Sequence, residues 1–199
     1  MSDLFDIVHR QRACRSFSDR PVDDATLAQV LDAATFAPSA ENRQPWVFVV
    51  VRDDTLRAQV HDLTERAWSG GGRAVAASRL DAALLAEVHH GVAGGGYRGA
   101  AVLVVVAADT ERCLDATISS SIYPATQNLL LAATALGLGS ALTTLTTVFA
   151  DELSALLALP AHVSPQIIVP LGYPQRPLGP PRREPFAEHT HRDRFGTPW

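Results

Sequence analysis

The stretch APSAENRQPWVFVVV, residues 37–51, joins a polar loop bounded by prolines to a short apolar run that begins at Trp46. The run WVFVVV contains four valines and two aromatic residues, a composition typical of a buried strand. The loop brings backbone and side-chain amides to the edge of the predicted sheet, and Pro38 and Trp46 add apolar surface there. Such groups suit the rim of a flat heterocyclic ligand.

Further helices and strands follow on both sides of this run. Apolar residues at helical spacing predict helices over residues 3–11, 23–36, 53–67, 122–136 and 151–159. Asp23 or Asp24 is the predicted cap of the second helix. Apolar runs predict strands over residues 46–51, 100–108, 140–147 and 165–172. Strands interspersed with helices indicate one α+β sandwich domain spanning residues 1–199. The helix at 122–136 is apolar on nearly every face, so we expect it near the centre of the molecule.

Residues 69–99 have an unusual composition. The triplets Gly70–Gly72 and Gly94–Gly96 enclose one helix-like piece, which predicts a mobile lid. Gly94, Gly96 and Gly99 also spell G-x-G-x-x-G, the pattern of a dinucleotide-binding turn. They precede a predicted strand, whereas that turn must follow one, so the order argues against a dinucleotide site.

Composition excludes several classes of function. All 17 basic residues are arginine, which excludes a lysine Schiff base and a Walker-type phosphate loop. The net charge of −4 does not favour nucleic-acid binding. Cys14 and Cys113 are too far apart for a zinc ribbon.

Two further polar clusters contain residue types that occur in metal and catalytic sites. His189, His191 and Asp193 lie in a polar tail without a further ligand cluster, so we expect no metal centre. The serines at 119–121 lack a nucleophile elbow, so we expect them to cap a helix and expect no catalytic triad.

The termini and apolar runs bear on location. The first ten residues mix charged and apolar side chains and contain no signal-peptide core. The longest apolar run, residues 100–108, is about half a membrane span. We therefore expect a cytoplasmic protein without a membrane partner.

Three arginines are candidate anion ligands. Arg12 and Arg15 lie in the turn QRACRSF, and Arg183 lies in the proline-rich tail. The planar guanidinium group matches phosphate oxygens, so three arginines that converge would bind a phosphoester. From the arginines alone, solvated surface charges are the simpler interpretation.

Five segments in order give a more specific result. They are QRACRSFSDRPV (11–22), APSAENRQPW (37–46), SSIYPATQNLLLAATALGLGSALTTL (120–145), VPLGYP (169–174) and RREPFAEHTHRDRFG (182–196). Together they resemble the nitroreductase family of FMN-dependent oxidoreductases, and the resemblance spans essentially the whole chain. Two positions depart from the family pattern, because Gln11 replaces its first arginine and Ala13 replaces its serine.

The resemblance implies a fold and an assembly. The family fold is an α+β sandwich in which helices flank a central, mostly antiparallel sheet. It forms an intertwined homodimer with two FMN sites at the interface. By this resemblance, residues 173–199 form an arm that embraces the partner subunit, and residues 66–99 form the variable lid.

The resemblance also implies which residues bind FMN. Arg12, Arg15 and Arg183 would hold the phosphate, with Gln11 at the departing position beside them. The remaining predicted contacts are to the flavin ring, from Pro38, Ser39 and Asn42 of the partner subunit and from Thr143 and Thr144 at the other edge.

The implied activity is ping-pong oxidoreduction. NAD(P)H reduces FMN and leaves, and a small acceptor such as a nitroaromatic or a quinone then enters the same pocket. The flavin carries the chemistry, so no catalytic side chain is expected. Specialised flavin reactions of the family (dehalogenation, dehydrogenation, flavin cleavage) and a non-catalytic FMN-binding protein remain alternatives. The sequence does not distinguish NADH from NADPH.

Overall fold

The computed structural model describes residues 3–199, and within that range the chain forms seven α-helices and four strands. The helices are α1 (Leu4–Arg10), α2 (Asp24–Thr35), α3 (Asp54–Ala67), α4 (Arg73–Ala77), α5 (Ala82–Val92), α6 (Asp115–Ala135) and α7 (Ala150–Leu156). The strands are β1 (Trp46–Val51), β2 (Val102–Asp109), β3 (Gly139–Ser140) and β4 (Val163–Gly172).

The four strands form one sheet in the order β1-β2-β4-β3, and every neighbouring pair is antiparallel. Trp46 pairs with Ala108 at one end of the sheet, and Ser140 pairs with Leu171 at the other. The predicted α+β fold with a central antiparallel sheet is confirmed.

Strand β2 lies at the centre of the core, because helices cover both faces of the sheet. Its even-numbered valines, such as Val104, pack in a cluster with Val30 of α2 and Leu129 of α6. Its odd-numbered residues, such as Val105, pack on the opposite side with Val60 of α3. A strand buried on both faces has no polar alternation, which explains the unbroken apolar run.

Three predicted elements differ from the observed ones. Helix α6 begins at Asp115, well before residue 122, so Pro124 and the serines at 119–121 lie inside it. The predicted strand at 140–147 is reduced to β3 and one bridge from Thr143 to Ile168, because the chain then turns into a 3-10 helix over Leu145–Phe149.

The third difference lies in the glycine-bracketed segment. The helix-like piece that the sequence predicts after Gly72 is divided into α4 and α5. Asp81 separates them, because its side chain accepts a hydrogen bond from the backbone N–H of Leu84 and so begins a new helix.

The C-terminal arm, residues 173–199, runs along the outside of the domain. It is attached near its start, where the backbone N–H of Ser18 donates to the carbonyl oxygen of Tyr173 at 2.8 Å. Farther along, its large aromatic side chains are exposed: Phe186 by 65%, Phe195 by 93% and Trp199 by 58%.

Among the described residues, no helix has the length and apolar character to cross a membrane.

Candidate functional site

The arginine-rich turn after α1 is held at the outer edge of β3. Ala13 forms a parallel bridge with Ser140, and the N–H of Cys14 donates to the Ser140 carbonyl oxygen at 2.8 Å. Two glycines make room for the turn. A Cβ at Gly96 would lie 2.0 Å from the Arg15 carbonyl oxygen, and one at Gly139 would lie 2.6 Å from the Cys14 sulfur. Any side chain there would displace the turn.

A cleft of about 330 Å³ opens beside this turn. It is lined by Arg12, Ala13, Arg15, Ser16, Glu87, His90, Arg176, Pro177, Leu178 and Gly179. Arg12 also holds the start of the arm in place, because its Nη1 donates to the Gly179 carbonyl oxygen at 3.2 Å. The turn, helix α5 and the arm therefore combine three arginines and a serine in one concave surface.

Arg15 has spare hydrogen-bonding capacity in this cleft. Its side chain is 20% exposed, and its Nη1 lies 3.5 Å from Glu87 Oε2, a long contact. Its Nε is buried and has no hydrogen-bond partner. Arg12 and Arg176 line the same cleft, and guanidinium groups are well matched to phosphate oxygens. The cleft is therefore suited to an anionic ligand.

Helix α5 forms one wall of the cleft. Its His90 Nε2 lies 2.8 Å from Ser16 Oγ, and Glu87 faces Arg15. The residues that follow, including Val92 and Tyr97, are buried in the core. The C-terminal part of the predicted lid thus contributes to the arginine cleft itself.

The cysteine in the turn is a packing residue. Cys14 is 1% exposed, and its burial raises the pKa of the thiol, against smaller opposite effects of a backbone hydrogen bond from Ser16 and of the charges on Arg15 and Arg12. A thiol with a raised pKa stays protonated at neutral pH and is a poor nucleophile.

The loop over residues 37–45 has an unusual backbone. Glu41, Asn42 and Gln44 have positive φ angles of 53°, 54° and 51°, a backbone conformation that residues other than glycine rarely adopt. Ser121 Oγ accepts from the Ala40 N–H at 3.2 Å, and Ser39 Oγ accepts from the Gln44 N–H at 3.0 Å. The strained loop is therefore fixed by side-chain hydrogen bonds, as expected where a loop is shaped for a ligand.

Of the predicted ring contacts in this loop, Pro38 and Asn42 are exposed and Ser39 is half-buried. They lie at the opposite end of the sheet from the arginine cleft. At the loop's end of the sheet, the first residue of β1 is level with Ser164 of β4, with β2 between the two strands. At the turn's end, the turn pairs with β3, and β3 pairs with Leu171 of β4. Seven residues of strand correspond to about 23 Å. The loop and the cleft of one chain therefore do not form one site.

The two predicted threonines lie beside the middle of β4, because Thr143 forms a bridge with Ile168. Thr143 is 8% exposed, and its N–H donates to the Ile168 carbonyl oxygen at 3.0 Å. Its backbone amide is thus used by the sheet. Thr144 is exposed at the start of the following 3-10 helix.

Two other predicted residues lie outside the lining of the cleft. Arg183 is exposed, and its Nη1 donates to the carbonyl oxygen of Arg182 at 2.9 Å. Gln11 ends α1, where its N–H donates to the Ile7 carbonyl oxygen. Arg176, which sequence reasoning missed, lines the cleft instead. Arg176 directly follows the segment VPLGYPQ, which leaves the sheet beside the turn. This position in the sequence is the signal from which a contact with the cleft could have been predicted.

Comparisons with known proteins identify the family of the chain. The model of the nitroreductase family matches residues 8–173. A Thermus thermophilus protein named NADH dehydrogenase is 34% identical over 191 residues, covering 89% of this chain and 89% of that protein. An Archaeoglobus fulgidus protein named as an NADH dehydrogenase/NAD(P)H nitroreductase is 31% identical over 188 residues, covering 88% and 87%.

Among solved structures, one from Desulfovibrio desulfuricans, described as a nitroreductase in complex with FMN, superposes with a TM-score of 0.74. It is 27% identical, and the match covers 98% of this chain and 99% of that one.

Proposed function

Because the chain belongs to the nitroreductase family, we propose that it is an FMN-dependent oxidoreductase that uses NAD(P)H to reduce small acceptors such as nitroaromatics or quinones. The observation that carries the proposal is the arginine cleft, in which Arg12, Arg15 and Arg176 line one cavity of about 330 Å³. The names of the relatives support it, since they refer to NADH, NAD(P)H and nitroreduction.

The residues of the cleft fit the phosphate of FMN. Arg12, Arg15 and Arg176 supply positive charge from three separate segments, and Ser16 adds a hydroxyl group. Ala13, at the cleft wall, has no hydroxyl to offer. The donor set is therefore mostly guanidinium, and the phosphate would be held by charge-assisted hydrogen bonds.

The position of the loop supports a site shared by two copies of the chain. Pro38, Ser39 and Asn42 are too far along the sheet to reach their own arginine cleft, so a ring anchored in one cleft would be bordered by the loop of a second copy. The exposed aromatic residues of the arm also favour a homodimer, because isolated soluble chains rarely leave large apolar side chains exposed together.

The roles of the protein in this proposal are binding and orientation. Bound FMN supplies reversible hydride transfer, so reductant and acceptor use one pocket in turn. Arg12, Arg15 and Arg176 fix the phosphate end, and the strained loop with Thr144 borders the ring and limits the access of water. No side chain is required to act as an acid or a base.

The test is reconstitution of the purified chain with FMN, followed by visible spectra and assays of NADH and NADPH oxidation with nitroaromatic and quinone acceptors. We expect flavin absorbance and acceptor-dependent oxidation. Arg15→Ala should weaken FMN binding about tenfold or more, because it removes a hydrogen bond to a charged group worth about 1.5–3 kcal/mol. The matched control is Arg73→Ala, which removes an exposed arginine outside the cleft lining and should leave affinity unchanged.

Two results would contradict the proposal. A reconstituted sample without flavin absorbance would exclude FMN binding. A flavin-loaded sample that oxidises neither NADH nor NADPH with any acceptor would indicate a non-catalytic FMN-binding protein.

A further inference from the structure

A second cluster of ligand groups lies at the far end of the sheet from the arginine cleft. Asp109 ends β2, Glu111 follows it in the turn toward α6, and His162 directly precedes β4. One ligand atom from each side chain lies within 4.8 Å of the other two. The cluster unites two carboxylates and an imidazole from segments more than 50 residues apart in sequence.

The backbone beneath this cluster is fixed by hydrogen bonds. Thr110 donates twice to the His162 carbonyl oxygen, from its N–H at 2.8 Å and from its Oγ1 at 3.0 Å. The N–H of Glu111 donates to Asp109 Oδ1 at 3.0 Å. These contacts fix the backbone that carries the three residues and one oxygen of Asp109, and they leave its second oxygen and the side chains of Glu111 and His162 available to an ion.

The side chains of the cluster form few contacts with the rest of the protein. Within residues 3–199, neither the Glu111 carboxylate nor the His162 ring has a hydrogen-bond or ion-pair partner. Asp109 accepts a hydrogen bond from backbone only. No ion pair within 4.0 Å joins His162 to either carboxylate. The groups therefore converge without neutralising one another, an arrangement that a cation between them would stabilise.

We propose that Asp109, Glu111 and His162 form a binding site for a divalent transition-metal ion of the Zn²⁺ type. An imidazole nitrogen with two carboxylate oxygens is a ligand set typical of such ions, whereas Mg²⁺ and Ca²⁺ favour oxygen ligands alone. Three protein ligands leave room for water. The ion joins the turn after β2 to the start of β4.

The site is also linked to the loop at 37–45, because the N–H of Asp109 donates to the Pro45 carbonyl oxygen at 2.7 Å. The proposal does not depend on the function of the arginine cleft. The only metal-binding candidate visible in the sequence, the tail trio around His189 and His191, is a different set of residues.

The experiment is calorimetric titration of Zn²⁺ into the full-length, chelator-treated protein as purified, together with melting temperatures with and without Zn²⁺. The variants are Glu111→Gln, His162→Ala and Asp109→Asn, the last of which keeps an oxygen acceptor for the Glu111 N–H. We expect the wild-type protein to bind one Zn²⁺ at this site and to melt at a higher temperature with it. Each variant should weaken that binding by at least about tenfold, since even the loss of an outer partner of a metal ligand costs that much.

The matched control is His189→Ala, which removes an exposed histidine of the arm and should bind Zn²⁺ as the wild type does. The proposal is overturned if the wild type shows no binding at about 1 mM Zn²⁺, or if His162→Ala and Glu111→Gln bind as tightly as the wild type. It is also overturned if His189→Ala alone loses the ion. Glu111 is exposed, so Glu111→Gln tests the site even if another variant fails to fold. Flavin absorbance, read separately, reports on the arginine cleft and keeps the two proposals distinguishable.

Discussion

The sheet core and the C-terminal arm differ in how completely a single chain buries their apolar side chains. Val104 in β2 is 0% exposed and packs with Val30 of α2 and Leu129 of α6, whereas Phe195 in the arm is 93% exposed. Phe186 and Trp199, also in the arm, contact each other edge to face with ring centroids 6.2 Å apart, yet both remain exposed. The core is therefore completed by one chain, whereas the arm exposes apolar surface that the second copy proposed above would bury.

The largest expected effect is on the free energy of unfolding, and it tests the difference between the core and the arm. Leu129 of α6 is 0% exposed, so Leu129→Ala should lower the free energy of unfolding by about 2–5 kcal/mol through the cavity it creates. We expect this loss at every protein concentration. Phe195→Ala should act only through association, so its effect on unfolding in urea should depend on protein concentration.

A concentration-independent loss for Phe195→Ala, comparable to that of Leu129→Ala, would contradict the comparison. It would mean that the arm folds as part of a single chain. Circular dichroism of both variants before titration provides the control for native secondary structure.

The next effect concerns the two parts of the arm. Arg176 lines the cleft, whereas Arg183 contacts the carbonyl oxygen of Arg182 outside it. Arg176→Ala should therefore weaken FMN binding by about 1.5–3 kcal/mol, or roughly tenfold to hundredfold. Arg183→Ala should cost less than about 1 kcal/mol, as for an exposed charge.

Titration of FMN into the two apo variants makes the measurement. Equal losses would assign a phosphate contact to Arg183 as well, delivered from the arm of a second copy. High salt should reduce the difference between wild type and Arg176→Ala, because screening weakens exposed charge interactions.

The sequence was sufficient where a pattern is local. The apolar run at 46–51 predicts β1 to the residue, and Asp23, one of the two aspartates predicted as the cap of α2, accepts from the Thr26 N–H. It was insufficient at the start of α6, because the capping residue there is Leu114, which has no capping side chain. It was also insufficient at β3, whose length depends on how far β4 can pair with it.

The candidate site follows the same division. Arg12 and Arg15 were predicted from one turn, and the structure brings them together in the cleft. Arg176 and helix α5 reach that cleft through tertiary packing, which a single sequence does not display. The convergence of Asp109 with His162 is likewise a product of strand pairing and not of spacing.

The smallest expected effect is on the pH dependence of stability, and it compares a buried histidine of the core with an exposed histidine of the arm. His61 of α3 is 4% exposed, and its Nε2 has no hydrogen-bond partner, with Glu65 Oε1 at 3.6 Å. Burial lowers the pKa of His61, the charge of Arg98 lowers it further, and Glu65 and Asp62 oppose this only in part.

A folded-state pKa below the ordinary value of about 6.5 means that the unfolded chain takes up the proton first. The free energy of unfolding should therefore fall as the pH drops from about 6.5 toward the lower folded-state pKa. Replacing His61 by Gln removes the titrating group, so the melting temperature of His61→Gln should vary less with pH in that window than the wild type's. His191→Gln, which alters an exposed histidine of the arm, should keep the wild-type pH dependence. If His61→Gln and the wild type lost stability in parallel on acidification, protonation of His61 would not be the cause. The difference between core and arm would then lie in packing alone and not in the titration of buried groups.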